Sequence, residues 1–149
     1  MATATITAYK DALYVACQTL YSGQALVAYG SPGPVGDDDI VVIGKVSSRQ
    51  QFAALGLSRP RDEMGEVEVT ISAYRGGGPD MEQVCFDRVF SLLATLETYI
   101  RTTNNTLGVA GVLTSQITDI SADGSYDPDV LAQGRVVELT AIISVHSRL

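Results

Sequence analysis

The sequence predicts an α+β fold, with a mostly antiparallel sheet of four to five strands and two main helices packed on one face. Apolar residues recur at helical spacing in two segments and alternate with polar residues in several others. Neighbouring strands pair directly, whereas each helix has one apolar face to bury, so the simplest packing places both helices against one side of the sheet. We expect one domain, residues 1–149, because a chain of this length supports one full-sized core.

Two helices are predicted from the spacing of apolar side chains. In residues 5–21 these side chains recur every three or four positions, and Gly23 follows as a residue able to close the helix. The longer helix starts at Asp80, which we predict to be its N-cap, with Gln83 at the capping-box position. It carries a broad apolar stripe and is expected to end at residues 104–105.

Strands are predicted where β-branched residues cluster or where apolar and polar residues alternate. Val67, Val69 and Ile71 alternate with Glu and Thr, which is typical of a strand with one face in the core. The predicted strands are residues 26–29, 40–46, 65–73, 109–120 and 135–146.

Three segments rich in glycine, proline or charged residues are predicted to be exposed loops, namely residues 30–39, 47–64 and 121–133. In the second loop Gly56 and Pro60 interrupt a short helical pattern, and the charged tip is expected to be solvated. Long loops in compact domains commonly carry function, so these segments are candidate contact surfaces.

The composition excludes several classes of protein. With 46% hydrophobic residues the chain is not disordered, and its net charge of −7 with scattered Lys and Arg argues against gripping nucleic acid through phosphates. An acidic surface still permits a protein that surrounds DNA without binding it. No segment approaches the roughly 18 apolar residues of a membrane span, and the amino terminus does not resemble a secretory signal. We therefore expect a soluble product made in the cytoplasm.

No residue pattern indicates catalysis or metal binding. His146 is the only histidine and is interpreted as a surface or interface residue, and the three aspartates at residues 37–39 are interpreted as a solvated loop end. The glycine-rich turn before Asp80 lacks the Gly-Lys-Ser/Thr ending of a phosphate loop. Cys17 and Cys85 are expected to be buried free thiols, although the sequence leaves a disulfide open. We predict that the protein is not an enzyme and uses no cofactor or metal.

The order of these elements resembles the phage tail terminator, or tail completion, proteins of long-tailed phages. The resemblance covers nearly the whole chain. An amino-terminal helix precedes a strand that ends in glycine, residues 40–44, and a strand at residues 66–73 runs through a glycine-rich turn into the long helix. Residues 106–113 are close to the Leu-Gly-Gly stretch often seen in the family, and a polar loop leads to the last strand.

This resemblance implies a subunit that closes into a homo-hexameric ring on the head-proximal end of the tail tube. The ring would end tube polymerisation and present the tail to the head-neck proteins, and DNA would pass through it without specific binding. Its location would be the virion, at the neck of the tail, after assembly in the host cytoplasm. The family implies no catalytic residues. The resemblance implies that the contact surfaces are sheet edges and the long loops. Contact residues are expected in two of the loops: Arg59, Arg61, Asp62 and Glu63 in one, and Asp123, Tyr126 and Asp127 in the other.

Two alternatives remain at this stage. The chain could be another neck, head-closure or tail-assembly protein, since loops able to make several contacts would look similar there. It could also be a small cytoplasmic ligand-binding domain or an enzyme whose site is formed by scattered polar residues.

Overall fold

A computed structural model describes residues 4–33, 36–52 and 61–149. Its helices are α1 Ile6–Leu20, α2 Asp80–Thr98 and α3 Pro128–Leu131. A π-helical turn, Tyr99–Thr103, continues α2. Its strands are β1 Leu26–Tyr29, β2 Asp39–Phe52, β3 Arg61–Gly76, β4 Val112–Gly124 and β5 Gly134–Arg148.

The strands form one five-stranded sheet in the order β1-β2-β3-β5-β4. Every neighbouring pair is antiparallel except β1 and β2, which run parallel. At the centre of the sheet, Val69 of β3 lies between Ile43 of β2 and Ala141 of β5. The predicted α+β class, with a mostly antiparallel sheet, is confirmed.

The core lies between the sheet and the two long helices. Alternate residues along most of β3 and β5, together with Val41 and Ile43 of β2, point toward the helices and are buried, as the period of two along a strand requires. Each large aliphatic side chain buried there contributes about 1.5–3 kcal/mol relative to exposure. The fully enclosed helix residues are Tyr9, Leu13, Cys17, Cys85, Val89 and Leu96.

Neither α1 nor α2 covers the opposite face of the sheet. We call this side the open face. Its side chains are mostly polar, and Glu66, Asp119, Asp123 and Glu138 are exposed on it.

The predicted loop at residues 47–64 is wrong where the structure describes it. Strand β2 continues to Phe52 and β3 starts at Arg61, and the two pair from Ser47 opposite Glu66 to Phe52 opposite Arg61. Most of these residues are polar, so their side chains gave no alternation of apolar and polar residues, but backbone pairing in a hairpin does not depend on side-chain polarity. Residues 53–60, with Arg59, Gly56 and Pro60, lie outside the described residues.

The predicted loop at residues 121–133 is shorter than expected. Strand β4 continues to Gly124, and α3 occupies Pro128–Leu131. The Asp127 carboxylate caps α3 by accepting a 3.0 Å hydrogen bond from the Asp129 N–H, and Pro128 supplies a preset φ at the first helical position. The local chemistry of Asp127-Pro128 therefore starts a short helix within a segment rich in turn-forming residues.

The boundaries of the long helix also need correction. Pro79 occupies the N-cap position without any side-chain capping bond, and Asp80 is the first helical residue, so the predicted capping box is wrong. The carboxylates of Asp80 and Glu82 still favour this end because they face the positive pole of the helix dipole. At the other end Asn104 terminates the π-helical turn, which confirms the predicted stop.

The following strand begins at Val112, three residues later than predicted. Gly108 and Gly111 adopt φ values of 72° and 88°, conformations that interrupt a strand and that glycine adopts without steric cost. Cys17 and Cys85 are both buried free thiols, as expected. Within residues 4–33, 36–52 and 61–149, no helix is long and apolar enough to cross a membrane.

Candidate interaction surfaces

Asp62, from the first predicted contact segment, belongs to an ion-pair cluster on the open face. Asp62 lies opposite Arg148, whose Nε and Nη2 donate hydrogen bonds of 2.8 and 3.2 Å to the two carboxylate oxygens. His146 Nε2 lies 3.7 Å from Asp62 Oδ2 and adds a charge interaction when the ring is protonated. The hydrogen bond from Arg148 is the main reason that the pKa of Asp62 is held below its usual range.

Arg61 lies at the same end of the sheet and is half-buried. Its Nη1 donates a 2.9 Å hydrogen bond to Gln50 Oε1, and its carbonyl accepts a 2.8 Å bond from the N–H of Leu149. The carboxyl-terminal residue is thereby held beside the start of β3.

Glu63 does not belong to a solvated tip, which corrects the prediction for this residue. Its side chain is 0% exposed, and its carboxylate accepts hydrogen bonds from the Thr5 N–H at 2.9 Å and from Ser48 Oγ at 2.8 Å. Alternation along β3 explains the difference, because Asp62 faces the open side and Glu63 faces the helices. Glu63 supports this end of the sheet from inside.

The second predicted segment is an exposed cluster after β4. Tyr126 is 78% exposed, and its hydroxyl donates a 3.1 Å hydrogen bond to Asp123 Oδ1. This bond raises the pKa of Tyr126. Asp127 is exposed beside it as the cap of α3. The structure therefore brings these three side chains onto one surface.

The two predicted segments lie at opposite ends of the sheet. Asp62 pairs with Arg148 near the end of β5, whereas Asp123 pairs with Glu138 near its start. Ten residues of strand separate these positions, or about 33 Å at roughly 3.3 Å per residue. They are therefore two separate surfaces of the subunit.

Two sheet edges are further candidate surfaces. The resemblance implied contact through sheet edges, but the sequence did not indicate which strands form them. Among the described strands, none pairs with β4 on the side away from β5, and none pairs with β2 beyond Ile43 on the side away from β3. Strand β4 contains Asp119 and Asp123 and no Lys or Arg, whereas residues 45–52 of β2 contain Lys45 and Arg49 and no acidic residue. The charges were visible in the sequence, but the topology decides which strands are edges.

Asp39 anchors an internal ion-pair cluster and corrects the expectation of a solvated loop end. Its carboxylate accepts hydrogen bonds of 2.7 and 3.2 Å from Arg75 and of 2.9 Å from Arg88. Burial raises the pKa of this carboxyl, but the hydrogen bonds from the two arginines outweigh burial and hold the pKa below its usual value. The cluster joins β2, β3 and α2 and has a structural role.

The described residues offer little chemistry beyond these contacts. They contain no group of three or more His, Cys, Asp or Glu side chains placed to hold a metal ion. A groove of about 430 Å³ between α1 and the end of α2 is lined mainly by apolar side chains, including Val15, Tyr99 and Leu107. Within the described part of the chain, no hydroxyl or thiol is hydrogen-bonded to His146 as a nucleophile would be to its base.

Comparisons with known proteins identify the class of fold. No protein-family model matches the chain, and no curated protein matches it. Chains of solved structures do match, and one of them belongs to the virion of a native gene transfer agent particle. That chain is 14% identical with a TM-score of 0.51, and the match covers 98% of this chain and 100% of that one. At this identity the likeness shows that the two chains share a fold over their whole length.

Proposed function

We propose that this chain is a structural virion protein of a phage-like particle and that it works as a tail terminator. Six copies would form a ring on the head-proximal end of the tail tube, stop tube growth and present the tail to the head-neck proteins. The observation that carries the structural-virion part is the whole-length fold likeness to a chain of the gene transfer agent virion. The terminator role rests on the order of sequence elements and goes further than that likeness.

The distribution of candidate surfaces supports a ring. A ring closes through heterologous contacts, in which each subunit uses two different surfaces. This subunit has two predicted contact segments about 33 Å apart along β5 and two sheet edges of opposite charge. A contact of standard size buries about 800 Å² on each partner.

The open face supports a passage for DNA without specific binding. Four carboxylates, of Glu66, Glu138, Asp119 and Asp123, are exposed on it beside the basic Arg49 and Arg148, and the chain as a whole carries a net charge of −7. Carboxylates facing a channel would repel phosphates and disfavour adhesion of the polymer. We propose that the open face is turned toward the lumen of the ring.

Imaging and mass measurement of the purified protein test the ring directly. We expect six-subunit particles by light scattering and ring-shaped images by electron microscopy, and we expect these rings to bind tail tubes at one end only. Particles assembled without the protein should carry tails of irregular length. A protein that stays monomeric at high concentration, does not bind tubes and leaves tail length normal when absent is not a terminator.

The position of the protein in the particle separates the terminator from another neck protein, which the same fold likeness would support. A gold label fused after residue 149 should appear where the tail tube ends. A label that appears away from the end of the tube, on a separate ring nearer the head, would assign the chain to head closure instead.

The exposed cluster after β4 gives a residue-level test of partner contact. Tyr126→Ala removes the side chain that is 78% exposed, and we expect weaker binding to either the tube or the neck while rings still form. Asp87→Ala, at an exposed position on α2, serves as the control. If both variants bind the tube and the neck equally well, Tyr126 is not part of the contact surface.

A further inference from the structure

We propose that the outer edge of β4 is closed to backbone pairing with a strand of another molecule, and that the Asn105 side chain is the cap that closes it at Ser115. Two irregularities in the strand and the carboxylate of Asp119 protect the rest of this edge. A partner can therefore contact β4 only through side chains and cannot extend the sheet along it. The cap acts within one subunit and is independent of the proposed ring.

Strand β4 has the features of an edge that attracts other strands. It contains 13 residues, and among the described strands it pairs only with β5. On this strand Leu113 is 51% exposed and Ile120 is 45% exposed. A long edge strand with exposed apolar side chains is a template for a strand of another molecule, unless its backbone groups are covered or its edge is interrupted.

The Asn105 side chain takes the place of a neighbouring strand at Ser115. Its amide nitrogen donates a 2.8 Å hydrogen bond to the Ser115 carbonyl, and its side-chain oxygen accepts a 2.9 Å bond from the Ser115 N–H. A residue in an antiparallel strand directs both backbone groups to the same side, which at Ser115 is the side away from β5. The side-chain amide therefore binds the same two groups that an incoming strand would need.

Further contacts hold this cap in place. The Asn105 amide nitrogen also donates a 3.1 Å bond to the Ile100 carbonyl, and the Ser115 hydroxyl donates to the Asn105 carbonyl. The Tyr9 hydroxyl donates a 2.9 Å bond to Ser115 Oγ, and Ser115 is 3% exposed. An incoming strand would have to break both bonds between the amide and the Ser115 backbone, and it would form at most two in return at this residue.

Irregular pairing and charge protect the rest of the strand. The register with β5 shifts between Val112 and Thr114 and again between Ile117 and Asp119. A bulge bends a strand and increases its twist, so the edge is no longer flat enough for a second strand. Beyond the second shift, Asp119 and Asp123 are exposed, and a strand laid alongside would remove their carboxylates from water.

Self-association of variants tests the cap. Asn105→Ala frees the N–H and C=O of Ser115 for pairing. We expect the protein concentration at which half of the chains form species larger than those of wild type to fall about tenfold in sedimentation velocity. These species should show the infrared amide band of intermolecular strands. Glu63→Ala is the control for lost stability, since it also weakens the fold but leaves Asn105 on the β4 edge, and its association should stay close to that of wild type.

Asp119 provides a second test at an exposed position, where substitution has little effect on stability. Asp119→Thr removes the charge and should lower the same concentration by about threefold, because one exposed charge contributes less than two hydrogen bonds. Asp119→Lys keeps a charge on the edge and should behave as wild type. Asp87→Thr makes the same change at an exposed position on α2 and should have no effect.

The comparisons among variants decide the outcome. If Asn105→Ala associates no more readily than Glu63→Ala, or its larger species lack the infrared band of intermolecular strands, the cap is overturned. Equal association of Asp119→Thr and Asp119→Lys would overturn the protective role of charge. Each variant is compared with wild type, whether that is a monomer or a ring. A failure of the cap therefore leaves the proposed function standing, and a failure of the ring leaves the cap standing.

Discussion

The Glu63 carboxylate accepts a 2.9 Å hydrogen bond from the backbone N–H of Thr5, which lies 58 positions earlier at the start of α1. Ser48 Oγ donates a second bond of 2.8 Å to the same side chain. A buried carboxylate with these donors ties the first helix to the β2–β3 hairpin. The end of the sheet that carries the Asp62–Arg148 pair therefore depends on a residue that faces the interior.

Replacing Glu63 should destabilise the fold more than replacing any exposed acid on the same strand. In Glu63→Ala the buried N–H of Thr5 loses its acceptor and a cavity remains, so we expect a loss of about 2–4 kcal/mol in the free energy of unfolding. Chemical denaturation followed by circular dichroism measures it. Glu66→Ala, at an exposed position on β3, should change stability by less than about 0.5 kcal/mol. Equal losses in the two variants would contradict this role of Glu63.

Asn105 should prove essential for attaching β4 to the end of the long helix. Its amide nitrogen donates to the carbonyls of Ile100 and Ser115, and its side-chain oxygen accepts from the Ser115 N–H at 2.9 Å. Asn105→Asp keeps the acceptor but removes both donors and places a carboxylate beside two carbonyls. We expect a loss of about 2–3 kcal/mol at neutral pH.

The neighbouring residue provides the matched control for that substitution. The Asn104 side chain donates one long hydrogen bond of 3.5 Å to Tyr99 Oη. Asn104→Asp introduces the same charge with little loss of bonding, so its thermal midpoint should stay close to that of wild type. A similar fall in both midpoints would show that added charge, and not the Asn105 bonds, causes the effect.

The contribution of Asp39 to stability should vanish in acid. Its folded-state pKa lies below the usual value because the hydrogen bonds from Arg75 and Arg88 outweigh burial. A carboxyl with a depressed folded-state pKa stabilises the native protein above its unfolded pKa of about 3.9, and this contribution is lost as the pH falls through the folded-state pKa. Asp39→Asn should therefore be less stable than wild type at pH 6, and the difference should shrink below about pH 4.

Asp37→Asn is the control for the acid-dependent effect, because Asp37 is an exposed carboxylate two residues away. Its difference from wild type should be small at every pH in the same denaturation series. If the difference in unfolding free energy between Asp39→Asn and wild type stays constant from pH 6 into the acid range, the charge on Asp39 is not the source of the stabilisation.

Both thiols should be unreactive in the native protein. Burial raises the pKa of Cys17 to about 12 and is also the main cause of the raised pKa of Cys85. Because the thiolate is the reactive form, a colorimetric disulfide reagent at pH 8 should label neither residue until denaturant is added. Ser22→Cys, which places a thiol in an exposed turn, should react at once. Rapid labelling of the native wild type would contradict the packing of α1, which carries Cys17, or of α2, which carries Cys85.

Local pattern was enough to predict much of the fold. The apolar spacing of α1 located a helix that differs by one residue at each end, and the alternation of Val67, Val69 and Ile71 assigned the buried face of β3. The same approach failed at residues 47–52 and 61–64, which are mostly polar and yet form a paired hairpin. Periodicity reports which side chains are buried, and a strand with polar residues on both faces leaves no such signal.

The candidate surfaces were predicted in part. Asp62 and Tyr126 were selected from loop character, and the structure places both on the surface. Their roles in binding stay predictions. The sequence did not indicate which strands form the sheet edges, because Lys45 and Asp119 look like ordinary surface charges until the strand order β1-β2-β3-β5-β4 places them toward opposite edges.

The sequence by itself determined the class of fold, the two long helices and the core face of β3, because these depend on periodicity within one segment. The tertiary structure decided that Glu63 is buried while Asp62 is half-buried on the open face, and that Asp39 binds two arginines. It also decided that, among the described strands, β4 and the part of β2 beyond Ile43 lie at the edges of the sheet. These properties depend on which distant segment of the chain packs against each residue. Thr5 meets Glu63 and Asp62 meets Arg148 across 58 and 86 positions of chain, and no local pattern encodes such a meeting.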